Sequence, residues 1–295
     1  MPVGKNLTIT LLLSVSASVW AAPPEIIAHR GGTGDGPENT EYVINKSIKN
    51  NADAIWITIQ LTKDNVIVLY RPSDLSVLTN LKGPVSAYTA QQLKNADAAY
   101  LYSPPIYPLR GQHIGIPALN DILKKWPKTF FYLDIKSPDA SAPQFSRVLQ
   151  DTLQKNNAVG RVRVYSTDAK YLAALPDNIP KFESRDMTRA ALVNITMNHT
   201  CTVLPQKDRG QWYGFEFDRK VQVAEKFTLG IGVTDTHVKW DKEAFRCFKE
   251  NKNNKVILFG INTLEDYQQA RTLGADGVLV DSPEKFKNMA RRSGE

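Results

Sequence analysis

Eight short runs rich in β-branched and aromatic residues, separated by stretches of helical periodicity, constrain this 295-residue chain more than any other feature. They are EIIAH (25–29), AIWITIQL (54–61), VIVLY (66–70), TFFYLDIK (129–136), RVRVYST (161–167), KFES (181–184), KVILFGIN (255–262) and GVLVDSP (277–283). Most are apolar throughout rather than alternating, as strands covered on both faces should be. Eight such strands with helical connections predict a (β/α)8 TIM barrel. A doubly wound open sheet is the alternative, but no strand-to-helix turn carries its Gly-rich phosphate loop. Two excursions interrupt the rhythm, at about 72–117 after the third strand and about 186–250 after the sixth. In a barrel such insertions sit over the C-terminal mouth, where ligands bind. Residues 23–295 are read as one domain carrying both.

The first residues have a different composition. Lys5 is the only charged side chain before Glu25, Leu7–Trp20 is an apolar run, and small residues follow at Ala21 and Ala22. That is the layout of a secretory signal peptide over 1–22, which ranks above an uncleaved anchor because the run is short for a membrane span. The mature chain is expected to be periplasmic or secreted. Removing Lys5 takes the formal charge from +7 to +6, a balance that favours anionic ligands. No dense Lys/Arg block with interleaved aromatics suggests a nucleic-acid groove, and membrane contact is expected only peripherally. Cys201 and Cys247 are the only cysteines, lack metal-site spacing, and are expected to pair in an oxidising compartment.

The stretch AHRGGTGDGPENTEY (28–42) delivers His29 and Arg30 from the first strand into a Gly-rich turn, with Asn39 expected to cap the following helix. With HRGG and PENT, and with ADAIWITIQLTKDNVIVLYRPSDL, GIPALNDIL, FYLDIKSP and GINTLEDYQQARTLGADGVLVDSP in the same order, the chain resembles the glycerophosphodiester phosphodiesterase family. The resemblance implies a phosphatidylinositol-phospholipase-C-like barrel that hydrolyses phosphodiesters. It implies two histidines for acid/base or nucleophilic work. It also implies a calcium or magnesium ion held by Glu and Asp of the second strand and Glu of the fourth. His29 matches the first histidine and Arg30 the phosphate-contacting arginine.

Other positions depart from that pattern. Trp56 and Thr58 stand at the two second-strand carboxylates, and neither an indole nor a neutral hydroxyl suits a hard cation. Tyr70 and Arg71 stand at the third strand's His-Asp, and Asp134 replaces the fourth strand's Glu, with Lys136 matching. Asp134 is thus the one remaining metal ligand; no cofactor is expected, with a calcium or magnesium ion on Asp134 as the alternative.

Three readings follow. In the first, a phosphodiesterase exchanges its metal for fixed positive charge, as bacterial phosphatidylinositol-specific phospholipases C do on a related barrel. His29, Arg30, Tyr70 and Arg71 are then catalytic, and Trp56, Lys136 and Asn262 bind substrate. In the second, an inactive barrel uses the same pocket to hold a phosphate-bearing or other anionic small ligand. In the third, other chemistry is built from Glu38, Asp134, Glu183, Glu225 or Asp281. Structural alternatives weigh against some of these roles: Arg30 can pair with Glu38 and Lys136 with Asp134, Trp56 can fill the vacated metal space, and Asn262 can cap a helix. His113, His199 and His237 are read as loop or surface residues.

Overall fold

The computed structural model describes residues 22–203 and 210–289, so nearly all of the 1–22 leader lies outside the described residues. Ten strands form: β1 (Glu25–Ala28), β2 (Ala54–Leu61), β3 (Ile67–Leu69), β4 (Phe130–Ile135), β5 (Val162–Ser166), β6 (Trp212–Glu216), β7 (Asp218–Phe227), β8 (Gly230–Lys239), β9 (Lys255–Phe259) and β10 (Gly277–Val280). Seven run parallel in the order β5-β4-β2-β1-β10-β9-β6. The gap between β5 and β6 is bridged by 181–183, where Phe182 N–H donates to the Val164 carbonyl and Glu183 N–H to that of Trp212. This curled parallel sheet wrapped by helices is a TIM-barrel-like fold.

Two expectations need correction. The run VIVLY yields β3, which pairs antiparallel with β2 as the return arm of a hairpin outside the parallel ring. A β-branched apolar run looks the same whichever way it pairs. Its place in the ring belongs to β6, from a stretch read as part of the 186–250 insertion. That span is therefore not all insertion, since a ring strand lies within it.

The helices show why they form where they do. Ala142–Lys155 starts at Ser141, whose hydroxyl accepts from Gln144 N–H, and buries Phe145, Leu149 and Leu153 at four-residue spacing. Each such side chain contributes about 1.5–3 kcal/mol. They join β2 and β4 residues Ile55, Ile57, Phe131 and Leu133 in the layer between sheet and helices. The ring's interior is filled by Ile27, Trp56, Tyr132, Tyr165, Phe182, Ile257 and Leu279. Trp56 is its centre, with ring centroids 5.1 Å from Tyr165 and Phe259, 5.9 Å from Tyr132 and 6.0 Å from Phe182.

Residues 72–117 fold into a cap around Leu75, Val85, Leu93, Ala98 and Ile116, packed on Val68 and Tyr70. Cys201 and Cys247 form a disulfide with Cα atoms 5.7 Å apart, tying the segment after helix Arg185–Asn198 to helix Lys242–Phe248. Among the described residues no helix is long and apolar enough to cross a membrane.

Candidate functional site at the barrel mouth

The first loop builds one side of the mouth. β1 ends at Ala28, and the chain turns through Arg30, Gly31 and Gly32, all at positive φ. Gly32 is required, because a Cβ there would lie 2.3 Å from Ser47 Oγ. The turn leaves His29 Nδ1 2.7 Å from Asp281 Oδ1, at the end of β10. Asn262 donates from Nδ2 to Asp281 Oδ2 at 2.8 Å and accepts from Asp281 N–H at 2.9 Å. The hydrogen bond from His29, aided by Asn262 and Arg30, holds the Asp281 carboxyl below its ordinary pKa against the opposing effect of burial. An ionised carboxylate only accepts, so Nδ1 carries the proton and Nε2 is left as the basic nitrogen.

Arg30 is committed elsewhere, donating from Nη1 to Glu38 Oε2 at 2.6 Å. Asn39 does not cap the helix that follows. Thr40 does, accepting from Val43 N–H, while Asn39, also at positive φ, takes the Thr58 N–H on its Oδ1 at 2.8 Å. Asn39 thus fastens the first loop to β2, the more demanding role for a buried amide.

The opposite side is built by β2 and β4. Strand parity turns Trp56, Thr58 and Gln60 one way and Ile55, Ile57 and Ile59 into the helix-facing core. Trp56 is only 2% exposed, so it fills the barrel instead of touching a ligand. Thr58 pairs in register with Asp134, and Thr58 Oγ1 and Asp134 Oδ1 are both buried without a hydrogen-bond partner. Asp134 Oδ2 lies 3.4 Å from Lys136 Nζ. Burial pushes the Asp134 carboxyl above its ordinary pKa, opposed chiefly by the charge and hydrogen bond of Lys136 and less by Arg71.

Tyr70 requires a correction. Its hydroxyl donates to the Asp74 and Leu75 carbonyls at 3.0 and 3.2 Å, inside the cap core, and burial raises its pKa further from the neutral range. It is not placed to donate a proton at the mouth. The physical reason is β3's geometry, since Tyr70 shares the cap-facing side with Val68 while Ile67 and Leu69 face the layer between sheet and helices. Gln60 Nε2 donates to the carbonyls of Tyr70, Arg71 and Pro72, pinning the segment that carries Arg71. Arg71, Ser73, Lys136, Thr167 and Lys170 line a cleft of about 270 Å³. A larger recess of about 360 Å³, beside Tyr42 and His113, holds none of the mouth residues.

The sequence reading missed one cluster. Glu216, at the end of β6, is held by Arg185 in two hydrogen bonds of 3.0 and 2.8 Å and by Arg219 at 2.6 Å. Burial works to raise its carboxyl, and the two guanidiniums outweigh it, leaving the pKa below ordinary. Treating QWYGFEF as a strand would have placed Glu216 on the inward side with Trp212 and Gly214. Of the other candidate carboxylates, Glu183 accepts from Ser184 N–H at the next helix's start, and the Glu225 side chain lies outside the described residues. His199 and His237 are exposed.

The indole of Trp56 and the hydroxyl of Thr58 stand where the resemblance would put two carboxylates, and Lys136 Nζ lies beside Asp134, the carboxylate that remains there. Among the described residues, no group of three or more His, Cys, Asp or Glu could hold a metal ion.

The fold and site define a class: a parallel α/β barrel whose C-terminal mouth presents a histidine oriented by an aspartate, flanked by cations. Residues 29–285 match the model of the Glycerophosphoryl diester phosphodiesterase family, and the chain belongs to that family. An uncharacterized Mycobacterium tuberculosis protein, Rv2277c, is 41% identical over 267 residues, covering 88% of this chain and 87% of that one. The solved structure of its glycerophosphoryl diester phosphodiesterase domain superposes with a TM-score of 0.82 at 38% identity, covering 90% and 98% of the two chains. A glycerophosphodiester phosphodiesterase of Bacillus altitudinis is 26% identical over 265 residues, 88% of this chain and 96% of that one. An Oleispira antarctica phosphodiesterase solved with its product sn-glycerol-3-phosphate shares the fold, with a TM-score of 0.60 at 16% identity over 90% and 96% of the chains.

Proposed function

We propose that the chain is an exported phosphodiesterase that cleaves glycerophosphodiesters or lipid-derived esters without a divalent metal. The observation that carries this reading is the Asn262–Asp281–His29 relay, which fixes the histidine's tautomer and orientation. Such a relay aims a general base at a substrate proton. A water molecule attacks phosphorus as His29 Nε2 takes its proton, the phosphorus–oxygen bond to the alcohol breaks and the leaving oxygen takes a proton from solvent, while Arg71 and Lys136 neutralise the charge that develops on the phosphorus oxygens. The phosphate-bearing product named in the Oleispira complex is of the class such a mouth would hold. The Cys201–Cys247 disulfide supports an oxidising location, in keeping with the leader-like first 22 residues.

A second reading, a barrel that binds an anionic ligand without turnover, is favoured by the removal of Tyr70 from the mouth, which leaves the departing oxygen without a side-chain donor there. Phosphorus NMR with glycerophosphocholine and glycerophosphoethanolamine, in calcium, magnesium or EDTA, separates the two. Turnover in EDTA that falls at least about 100-fold in His29→Ala is the expected result. A requirement for metal would refute the metal-free site. No turnover, with thermal stabilisation by glycerol phosphate that grows as RT ln(1 + [L]/Kd), would establish the second reading.

A further inference from the structure

The mouth carries a structure that the site does not use. β7 and β8 form a two-stranded antiparallel ribbon paired without a break from Asp218–Lys239 to Phe227–Gly230. Ten residues a side make it roughly 30 Å long. It leaves the rim one residue after Glu216, the mouth end of β6, and its first turn is anchored there by Arg219 on Glu216. At its base Val238 is buried and Val221 packs on the barrel's outer core.

Exposure then rises toward the tip. Val233 is 54% exposed, Phe227 58%, Ile231 69% and Leu229 100%, a cluster of large apolar side chains at the point farthest from the body. Phe227 lies flat over Gly232, where a Cβ would come within 2.5 Å of its ring, so the turn holds an aromatic against its own backbone. A convex tip of this kind is neither a core nor a groove, and apolar residues so exposed mark an interaction site. Lys226 stands beside Phe227 in the sequence, residues 218–239 carry four Lys/Arg against three Asp/Glu, and the chain is +7 overall. An apolar tip on a chain of net positive charge matches a surface that is anionic outside and hydrocarbon within.

We propose that the Phe227–Ile231 tip inserts into the interfacial layer of an anionic phospholipid bilayer and brings the barrel mouth to the membrane surface. This holds whether or not the mouth turns substrate over. The test is vesicle flotation of the full chain with phosphatidylcholine containing one third phosphatidylglycerol, against phosphatidylcholine alone. Binding several-fold stronger to the anionic vesicles is expected, and at least a tenfold loss in Leu229→Asp/Ile231→Asp. Both side chains are solvent-facing, and an unchanged circular dichroism melt verifies the variant's fold. In Leu229→Trp, vesicles should shift the added indole's emission to shorter wavelength. No flotation of the unaltered chain, equal flotation of the double variant, or a protein dimer split by those substitutions without vesicle capture would each overturn the proposal.

Discussion

The two sides of the barrel mouth differ in how their polar groups are satisfied. On the β1/β10 side, both Asp281 oxygens, the Asn262 amide and His29 Nδ1 are engaged within one relay, and Arg30 is held by Glu38. On the β2/β4 side, the register partners Thr58 and Asp134 leave Oγ1 and Oδ1 buried without partners, as Glu38 Oε1 and Asn39 Nδ2 are in the first loop, but with no closed relay beside them. The difference teaches that one barrel mouth can set a hydrogen-bonded relay beside polar atoms that rest on aromatic packing. The first holds Asp281 between His29 and Asn262, whereas the second is built on an indole that four surrounding rings accommodate.

Breaking the aromatic side should cost most. Trp56→Ala is expected to lower stability by about 3–5 kcal/mol in urea unfolding, because the indole sits among four rings and nothing can collapse into its place. A loss below about 1 kcal/mol would mean that the site relaxes and the rings are not jointly packed.

Asp134→Asn sharpens the contrast through pH. The native carboxyl is raised above its unfolded value by burial, so its ionised form opposes folding at neutral pH and the penalty disappears as pH falls below the unfolded value near ~4. The variant should therefore melt higher than the native chain at pH 7, with the gain shrinking on acidification. Asp281 has the opposite sign, since its lowered pKa supplies stability above the unfolded value that is lost as pH falls through the folded one.

Tyr70→Phe should cost about 1 kcal/mol by removing the hydroxyl shared between the Asp74 and Leu75 carbonyls, and leave any turnover within about twofold. A collapse of activity with stability intact would return Tyr70 to the chemistry. Smallest of all, Thr58→Val removes an unpartnered hydroxyl from a buried site at nearly constant shape, and stability should change by no more than about 0.5 kcal/mol or rise slightly.

Much of this architecture is legible in the sequence, for reasons that differ by element. β1, β2, β4, β9 and β10 announce themselves because strands buried on both faces are continuously apolar. The pairings of Arg30 with Glu38 and Lys136 with Asp134 can be anticipated because turn and strand spacing bring them together. The direction of β3 cannot be, since apolar composition carries no sign for parallel or antiparallel pairing. Tyr70's burial follows from that direction together with a cap whose core is assembled from residues far apart in sequence. β6 is obscured by its neighbours, being five residues between a long helix and a long ribbon, and with it went the Arg185–Glu216–Arg219 cluster.

The disulfide has a further consequence. Cys201 and Cys247 enclose the entire β7–β8 ribbon within one covalent loop, since the ribbon's residues lie between them in the chain. A protease that nicks the exposed tip at Leu229 would therefore release nothing: the two pieces would migrate as a single species until a reductant parts them. The ribbon can lose its backbone continuity at its most accessible point and still keep both of its roots attached to the same molecule.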